Sequence, residues 1–170
     1  MSVTLRRAEP DDALAVARVH VRSWQVGYRG LLPDEYLDGL IPEDRAAQYT
    51  FGELPPERPA TVVALDGGEV CGFVTTGPSR DDDTRVLGEV CALYVDPPWW
   101  GRGAGRALMR DARDRLARAG FRDAQLWVLV GNERAERFYR ADGWTPDGAH
   151  RRDQIWGVDV GEVRFRRSLG

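Results

Sequence analysis

A chain of 170 residues with a net charge of −3 is too acidic for general binding to nucleic acid or to an anionic membrane surface. Its 42% hydrophobic and 30% charged residues describe one globular domain over residues 1–170, able to bury about 70% of its unfolded surface. The early residues carry acids where a signal peptide needs its apolar stretch, no apolar run is long enough to span a membrane, and Cys71 and Cys91 lack CxxC spacing. A cytoplasmic protein with reduced core thiols is expected.

Residues 3–7 read as a short strand. Pro10, Asp11 and Asp12 then open a helix with acids at its positive dipole end. Leu14, Ala17, Val21, Trp24 and Tyr28 recur at spacings of three and four on one face of that helix. Residues 31–40 suit a short helical turn, residues 42–51 a second helix started by Pro42, and Pro55, Pro56 and Pro59 a stiff connector. Two β-rich runs, 61–65 and 70–76, flank Asp66-Gly67-Gly68, a hairpin signal. Residues 79–85 are polar and include three consecutive aspartates. Adjacent side chains rarely converge on one ion, so a solvated loop without a metal is expected.

Residues 89–109 organise the rest. Val90 to Val95 is an unbroken apolar run that suits a strand buried on both faces, and Asp96-Pro97-Pro98 ends it. Gly101, Gly103 and Gly105 follow, and then a helix with Ala104, Leu108, Ala112 and Leu116 as its apolar stripe. Asp111/Arg115 and Asp114/Arg118 are acid-first i,i+4 pairs on its wet side, and Gly120 stops it. A strand leading through glycines into a helix N-terminus can cradle a phosphate on free N–H groups; its bland alternative is a packing junction. It is not a P-loop, since the chain has no lysine, and not a dinucleotide fingerprint, since Arg106 or Leu108 stands where the third glycine belongs.

Residues 124–130 form another strand. Asn132 caps a helix whose Ala135, Phe138 and Tyr139 share a face, and Gly143 closes it. The tail alternates at Val158/Val160 and Val163/Phe165 as a terminal hairpin, after a loop over residues 145–153. This order predicts an α/β fold: a mostly antiparallel central sheet with helices on both faces and a helical crossover between the two central strands.

The glycine turn resembles the acetyl-CoA-binding motif of the GNAT N-acetyltransferases, Arg/Gln-x-x-Gly-x-Gly/Ala. Gly103 and Gly105 supply its small residues, and Trp100 stands at the usual Arg or Gln. Asn132, Ala135, Tyr139, Gly143 and Trp144 match that family's N-x-x-A-x-x-x-Y-x-x-x-G-F/W pattern, and Gly72-Phe73 its third-strand Gly-Phe. The resemblance covers nearly the whole chain. It implies the GNAT fold and an N-acetyltransferase that uses acetyl-CoA by direct transfer to a primary amine in a ternary complex.

It also implies roles for particular residues. Backbone at Leu93, Tyr94 and Val95 would hold the pantetheine arm between splayed strands, with the Leu93 N–H as oxyanion donor. Trp100, Gly101, Arg102, Gly103, Ala104, Gly105 and Arg106 would hold the pyrophosphate. Asn132 would contact the amide arm, with Ala135 beside it, and Tyr139 would protonate the leaving thiolate.

The amine must also lose a proton. Glu89, at the start of the central strand, is the candidate base, directly or through a water; its alternative is a strand-end residue facing solvent. His20 and His150 are further candidates without visible partners. Trp24, Tyr28, Tyr36 and Trp156 are candidate walls for an acceptor that could be a small amine, a peptide N-terminus, a protein lysine or an aminoglycoside-like compound. A non-catalytic acyl-CoA-binding sensor or interaction module of the same fold, an acyltransferase for a longer chain, and a homodimer all remain open at this point.

Overall fold

The structure, a computed structural model, describes residues 2–53, 55 and 57–170. Pro56, part of the expected connector, lies outside the described residues. In chain order the elements are β1 (Thr4–Arg7), α1 (Ala13–Gly27), α2 (Asp34–Asp38), α3 (Pro42–Ala46), β2 (Ala60–Asp66), β3 (Glu69–Pro78), β4 (Gly88–Val95), α4 (Ala104–Arg118), β5 (Asp123–Leu129), α5 (Glu133–Ala141), β6 (Thr145–Ile155) and β7 (Val158–Ser168). No helix among the described residues is long and apolar enough to cross a membrane.

The strands form one sheet in the order β1-β2-β3-β4-β5-β7-β6. Every neighbouring pair is antiparallel except β4 and β5, which are parallel and joined by α4. The β2–β3 hairpin turns on Gly67 (φ 59°) and Gly68 (φ 86°), the two left-handed residues whose twist matches that of the flanking strands.

Each face of the sheet buries a different set of helices. On one face the α4 stripe of Ala104, Leu108, Ala112 and Leu116, joined by Met109, packs on Val62, Val74, Val90, Leu126 and Phe165. Burying a leucine such as Leu108, which is 0% exposed, contributes roughly 1.5–3 kcal/mol. On the other face Val16 and Val19 of α1 pack on Val63 and Phe73. Further along α1, Trp24 joins Leu32, Leu37 and Val160. Arg22 of α1 grips the buried Asp96 with two hydrogen bonds, fixing the turn that leaves β4.

Five expectations change, the first being the tail hairpin: Val158, Val160, Val163 and Phe165 all lie in one strand, β7, whose hairpin partner is β6. The helix begun by Pro42 stops at Ala46, and residues 145–153 belong to β6, an edge strand on β7, rather than to a loop. The β4 run is buried only over its first three residues, Gly88 to Val90, and half-buried from Cys91 to Val95. Asp81, at the start of the aspartate tract, is folded onto the sheet, while the Asp82 and Asp83 side chains stay 91% and 65% exposed. Asp81 accepts hydrogen bonds from Gln125 Nε2 (2.8 Å) and Trp127 Nε1 (3.0 Å). Asp83 takes both ends of the Arg164 guanidinium, whose Nε bonds Asp147 at 2.6 Å. These donors, Gln125, Trp127 and Arg164, lie 40 or more positions later in the chain, so local polarity does not reveal them.

Gly72 of the Gly-Phe pair sits where no side chain fits. A Cβ there would lie 3.0 Å from Leu108 Cδ1 and 3.1 Å from the Tyr94 carbonyl, which the β3–β4 ladder holds in place. Gly72→Ala should lower stability by about 1–3 kcal/mol through overpacking. Urea unfolding should then show an earlier midpoint with an unchanged m-value; a midpoint equal to that of the parent protein would contradict this close packing.

Candidate active site

The site begins where the two central strands separate. β4 and β5 pair only at Gly88↔Ala124 and Glu89↔Gln125. Immediately afterwards the β3–β4 register shifts between Thr75 and Thr76, which leaves Cys91 without an opposite residue. Such a bulge bends its strand and strengthens the local twist. Because Asp96 N–H donates to Cys71 O across β3 (2.8 Å), strand alternation turns the Leu93 and Val95 peptide groups the other way, into the gap. Val95 O is already taken by the Trp100 indole N–H at 2.6 Å. A cavity of about 910 Å³ runs from this gap between α1, α5 and the β6–β7 turn.

At one end of the cavity lies the glycine turn. Gly101 (φ 74°) and Gly103 (φ 97°) are left-handed, and Gly103 is the N-cap of α4. No atom lies within 4 Å of a Cβ built on either residue. The turn therefore opens outward and leaves the first-turn N–H groups of α4 accessible, the geometry that accepts a phosphate. Gly101, Gly103, Gly105 and Arg106 line the cavity. Neither Arg102 nor Ala104 is part of that lining: the Arg102 side chain is exposed, and the Ala104 methyl is buried in the core.

Trp100 stands where the motif has Arg or Gln, and a cation from another element lies beside it. The Arg134 guanidinium of α5 lies 3.5 Å from the centre of the Trp100 ring. It has no carboxylate partner among the described residues, and it lines the cavity. Sequence spacing cannot reveal this stack, which forms between residues 34 positions apart on two elements.

α5 presents the second motif. Asn132 Oδ1 accepts the Ala135 N–H (3.2 Å) and caps the helix, its amide N–H groups have no partner among the described residues, and both residues line the cavity. The Tyr139 ring packs beside Phe138 and Phe165. Its hydroxyl has no hydrogen-bond partner among the described residues, and burial, with Tyr94 nearby, raises its pKa further. Tyr28 and Tyr94 bring their hydroxyls to 3.4 Å of one another and are raised as well, first by burial. All three remain protonated at neutral pH.

Glu89 does not face solvent. It is 4% exposed and accepts a hydrogen bond from Gln125 Nε2 (3.1 Å), with Arg80 4.0 Å away. Burial raises its pKa against the opposing pull of Arg80 and Gln125. A second buried carboxylate, Glu162 of β7, shares the cavity, accepts from Arg151 Nε (2.9 Å) and is also raised by burial. Sequence reasoning missed it; its one signal was an acid at an inward position of the strand pattern Val160, Glu162, Arg164.

His20 is 5% exposed, stacks on Tyr94 at 4.7 Å and shares a 2.8 Å hydrogen bond with the Tyr49 hydroxyl. Burial, followed by Arg45, lowers its pKa to about 3, so it is neutral. His150 is exposed on the edge strand, away from the cavity lining. Burial pushes the Cys71 thiol up to about 11 and the Cys91 thiol to about 12, so neither is a ready nucleophile.

The expected aromatic walls divide. Trp24, Tyr28 and Trp156 line the cavity, whereas Tyr36 stands behind it and donates to the Trp156 carbonyl at 2.6 Å. Trp156 is the one non-glycine residue with positive φ (53°) among those described, in the two-residue β6–β7 turn with Gly157 (φ 83°). A side chain in this region costs about 1–2 kcal/mol. Contacts with Trp24 (5.3 Å) and His20 (5.0 Å) hold it there.

Comparison with known proteins places this geometry in company. The pattern of the Acetyltransferase (GNAT) family matches residues 22–144. An uncharacterised N-acetyltransferase of Bacillus subtilis, YuaI, is 32% identical over 162 residues, covering 95% of this chain and 90% of its own. One from Archaeoglobus fulgidus is 32% identical over 137 residues, covering 79% and 88%. Among solved structures, the PaiA N-acetyltransferase of Thermoplasma acidophilum in complex with coenzyme A superposes with a TM-score of 0.74 at 19% identity, over 99% of each chain. YncA of Salmonella typhimurium with acetyl-CoA gives 0.70 at 21%, over 100% of this chain and 95% of that one.

The buried Glu89 makes a pH prediction that needs no substrate. Its raised pKa means that the folded state binds the proton more tightly than the unfolded chain. Its contribution is therefore fully present below the unfolded value of 4.5 and is lost as pH rises through the folded value. Glu89→Gln should raise the melting temperature near pH 8, with the gain shrinking to nothing near pH 4, because glutamine keeps the acceptor oxygen without the charge. A drop in melting temperature near pH 8 would mean that Arg80 and Gln125 outweigh desolvation.

Proposed function

The chain belongs to the GNAT acetyltransferase family, and we propose that residues 1–170 form one cytoplasmic N-acetyltransferase domain that acetylates a primary amine directly within a ternary complex with acetyl-CoA. The observation that carries this reading is the β4–β5 gap opening beside an outward-facing glycine cradle. A thioester-bound acyl group is supplied by acetyl-CoA when it is bound. The family resemblance of both motifs supports the same assignment.

The chain's own groups divide the work. First-turn N–H groups from Gly101 to Arg106 bind the pyrophosphate, with Arg134, stacked on Trp100, as the cation beside it. Leu93 and Val95 offer peptide groups to the extended arm as an adjacent strand would, and Asn132 adds side-chain N–H groups. The Leu93 N–H donates to the acyl oxygen as negative charge gathers there. Glu89 takes the proton from the attacking amine, and its raised pKa brings it closer to the pH at which a base works best. Tyr139 gives its proton to the departing sulfur. With both thiols held protonated, transfer without an acyl-enzyme is the simpler route.

The deciding experiment is thiol release from acetyl-CoA across a panel of primary amines. On an acceptor so identified, Tyr139→Phe should lower kcat by about 10²-fold, with coenzyme A affinity changed less than twofold. An unchanged kcat would remove the hydroxyl from the chemistry, while joint loss of kcat and affinity would make it a positioning group. Arg134→Ala should weaken coenzyme A by about 10- to 100-fold in calorimetric titration, as expected for a charge-assisted phosphate contact. Affinity within twofold of the parent would leave the Trp100 stack a packing contact alone.

A further inference from the structure

The cavity has a second pole that acetyl transfer itself does not employ. Arg45 of α3 lines it, with the guanidinium 5.3 Å from the Tyr49 ring centre and 5.4 Å from that of Trp156. Its Nε is buried without a hydrogen-bond partner. No carboxylate lies within ion-pair distance of Arg45 among the described residues, whereas two other cations of the lining are paired, Arg151 with Glu162 and Arg80 with Glu89. Its positive field reaches His20, Tyr36, Tyr49 and Tyr94, each of which it pulls toward lower pKa.

A partly desolvated cation without a counter-charge is costly unless a ligand completes it. Two flat rings attract a cation only weakly, by about 0.5–2 kcal/mol. The planar guanidinium fork is complementary to a carboxylate. The same cavity is lined by the buried Glu89 and Glu162, 4% and 6% exposed. Trp24, Tyr28 and Trp156 add aromatic surface to the same lining. The lining therefore combines an uncompensated cation, aromatic surface and two carboxylates, groups complementary to a carboxylate, an apolar body and an amine.

We infer that the acceptor is an amino acid or a similar amine bearing a carboxylate, its carboxylate on Arg45 and its apolar body against Trp24 and Trp156. This assignment rests on the acetyl-transfer reading of the same cavity. It selects against amines without an anionic group, since these leave Arg45 uncompensated.

Matched ligands test it: L-phenylalanine and L-methionine against their amides, and 5-aminopentanoate against pentylamine. Binding is read by tryptophan fluorescence on protein saturated with coenzyme A, because Trp24 and Trp156 line the site. Turnover is read separately by thiol release from acetyl-CoA. At least one acid should bind tenfold or more tightly than its uncharged partner. Arg45→Gln should erase that preference while leaving coenzyme A affinity and the uncharged ligand within twofold, and Arg45→Lys should retain part of it. Equal binding of every acid and its partner, or equal weakening of both by Arg45→Gln, would overturn the inference. Arg45-dependent acid binding without any thiol release would keep the carboxylate site and overturn acetyl transfer instead.

Discussion

A strand in the middle of a sheet must pair its peptide groups on both sides, and β4 does so for only two residues on its β5 side. Everything else about this protein follows from that unfilled edge. Polar backbone at the centre of a domain is unfavourable unless it finds partners. Here the bulge at Cys91 bends the strand outward, and the Trp100 indole takes up the Val95 carbonyl. What remains is a strip of aligned donors and acceptors that an extended polyamide can complete. The α4 N-terminus lies at one end of the strip and the buried Glu89 at the other, because both are fixed by the chain immediately flanking β4. Placement of the chemistry is thus a by-product of where one strand stops pairing.

The opposite wall is held by charge. The β6–β7 hairpin and the 79–85 tract are far apart in sequence, and Arg164 joins them by binding Asp83 and Asp147 from a side chain only 8% exposed. Arg151 extends the network to Glu162, Asp81 and Asp153. The most buried of these pairs, Arg164 with Asp147, at 8% and 16% exposure, adds little net stability but makes wrong geometries expensive, since breaking it strands a charge. The hairpin tip, with Trp156 in its left-handed conformation, is consequently fixed at two points: by ions along its strands and by the Tyr36 hydrogen bond at its turn.

The readable parts of the sequence were those governed by neighbours in the chain. The Gly67-Gly68 turn, the fourfold spacing of Ala104, Leu108, Ala112 and Leu116, and the Asn132 cap all act within a few residues, and each is found where expected. The cavity lining also includes Gly103, Asn132 and Tyr139 from the two motifs, Leu93 and Tyr94 from the family resemblance, and Glu89 from its place at the start of the central strand. Arg45, Arg134 and Glu162 were illegible because an exposed helical arginine and an inward strand acid have the same local pattern whether solvated or buried. Their meaning lies in contacts across elements. β6 was missed for another reason: Pro146 and Gly148 interrupt it, and an edge strand with a mostly exposed face shows no apolar alternation.

The ionic framework has one more property, visible only when its composition is set beside the reagent it surrounds. All of its cations are guanidinium groups, for the chain has no lysine. A thioester slowly acylates any free aliphatic amine nearby, and a lysine so modified loses its charge and its hydrogen bonds. Guanidinium stays protonated at every working pH and offers no such nucleophile. Arg164, Arg151, Arg134 and Arg45 can therefore stand around a reactive acyl donor indefinitely, and the scaffold resists chemical ageing by its own substrate.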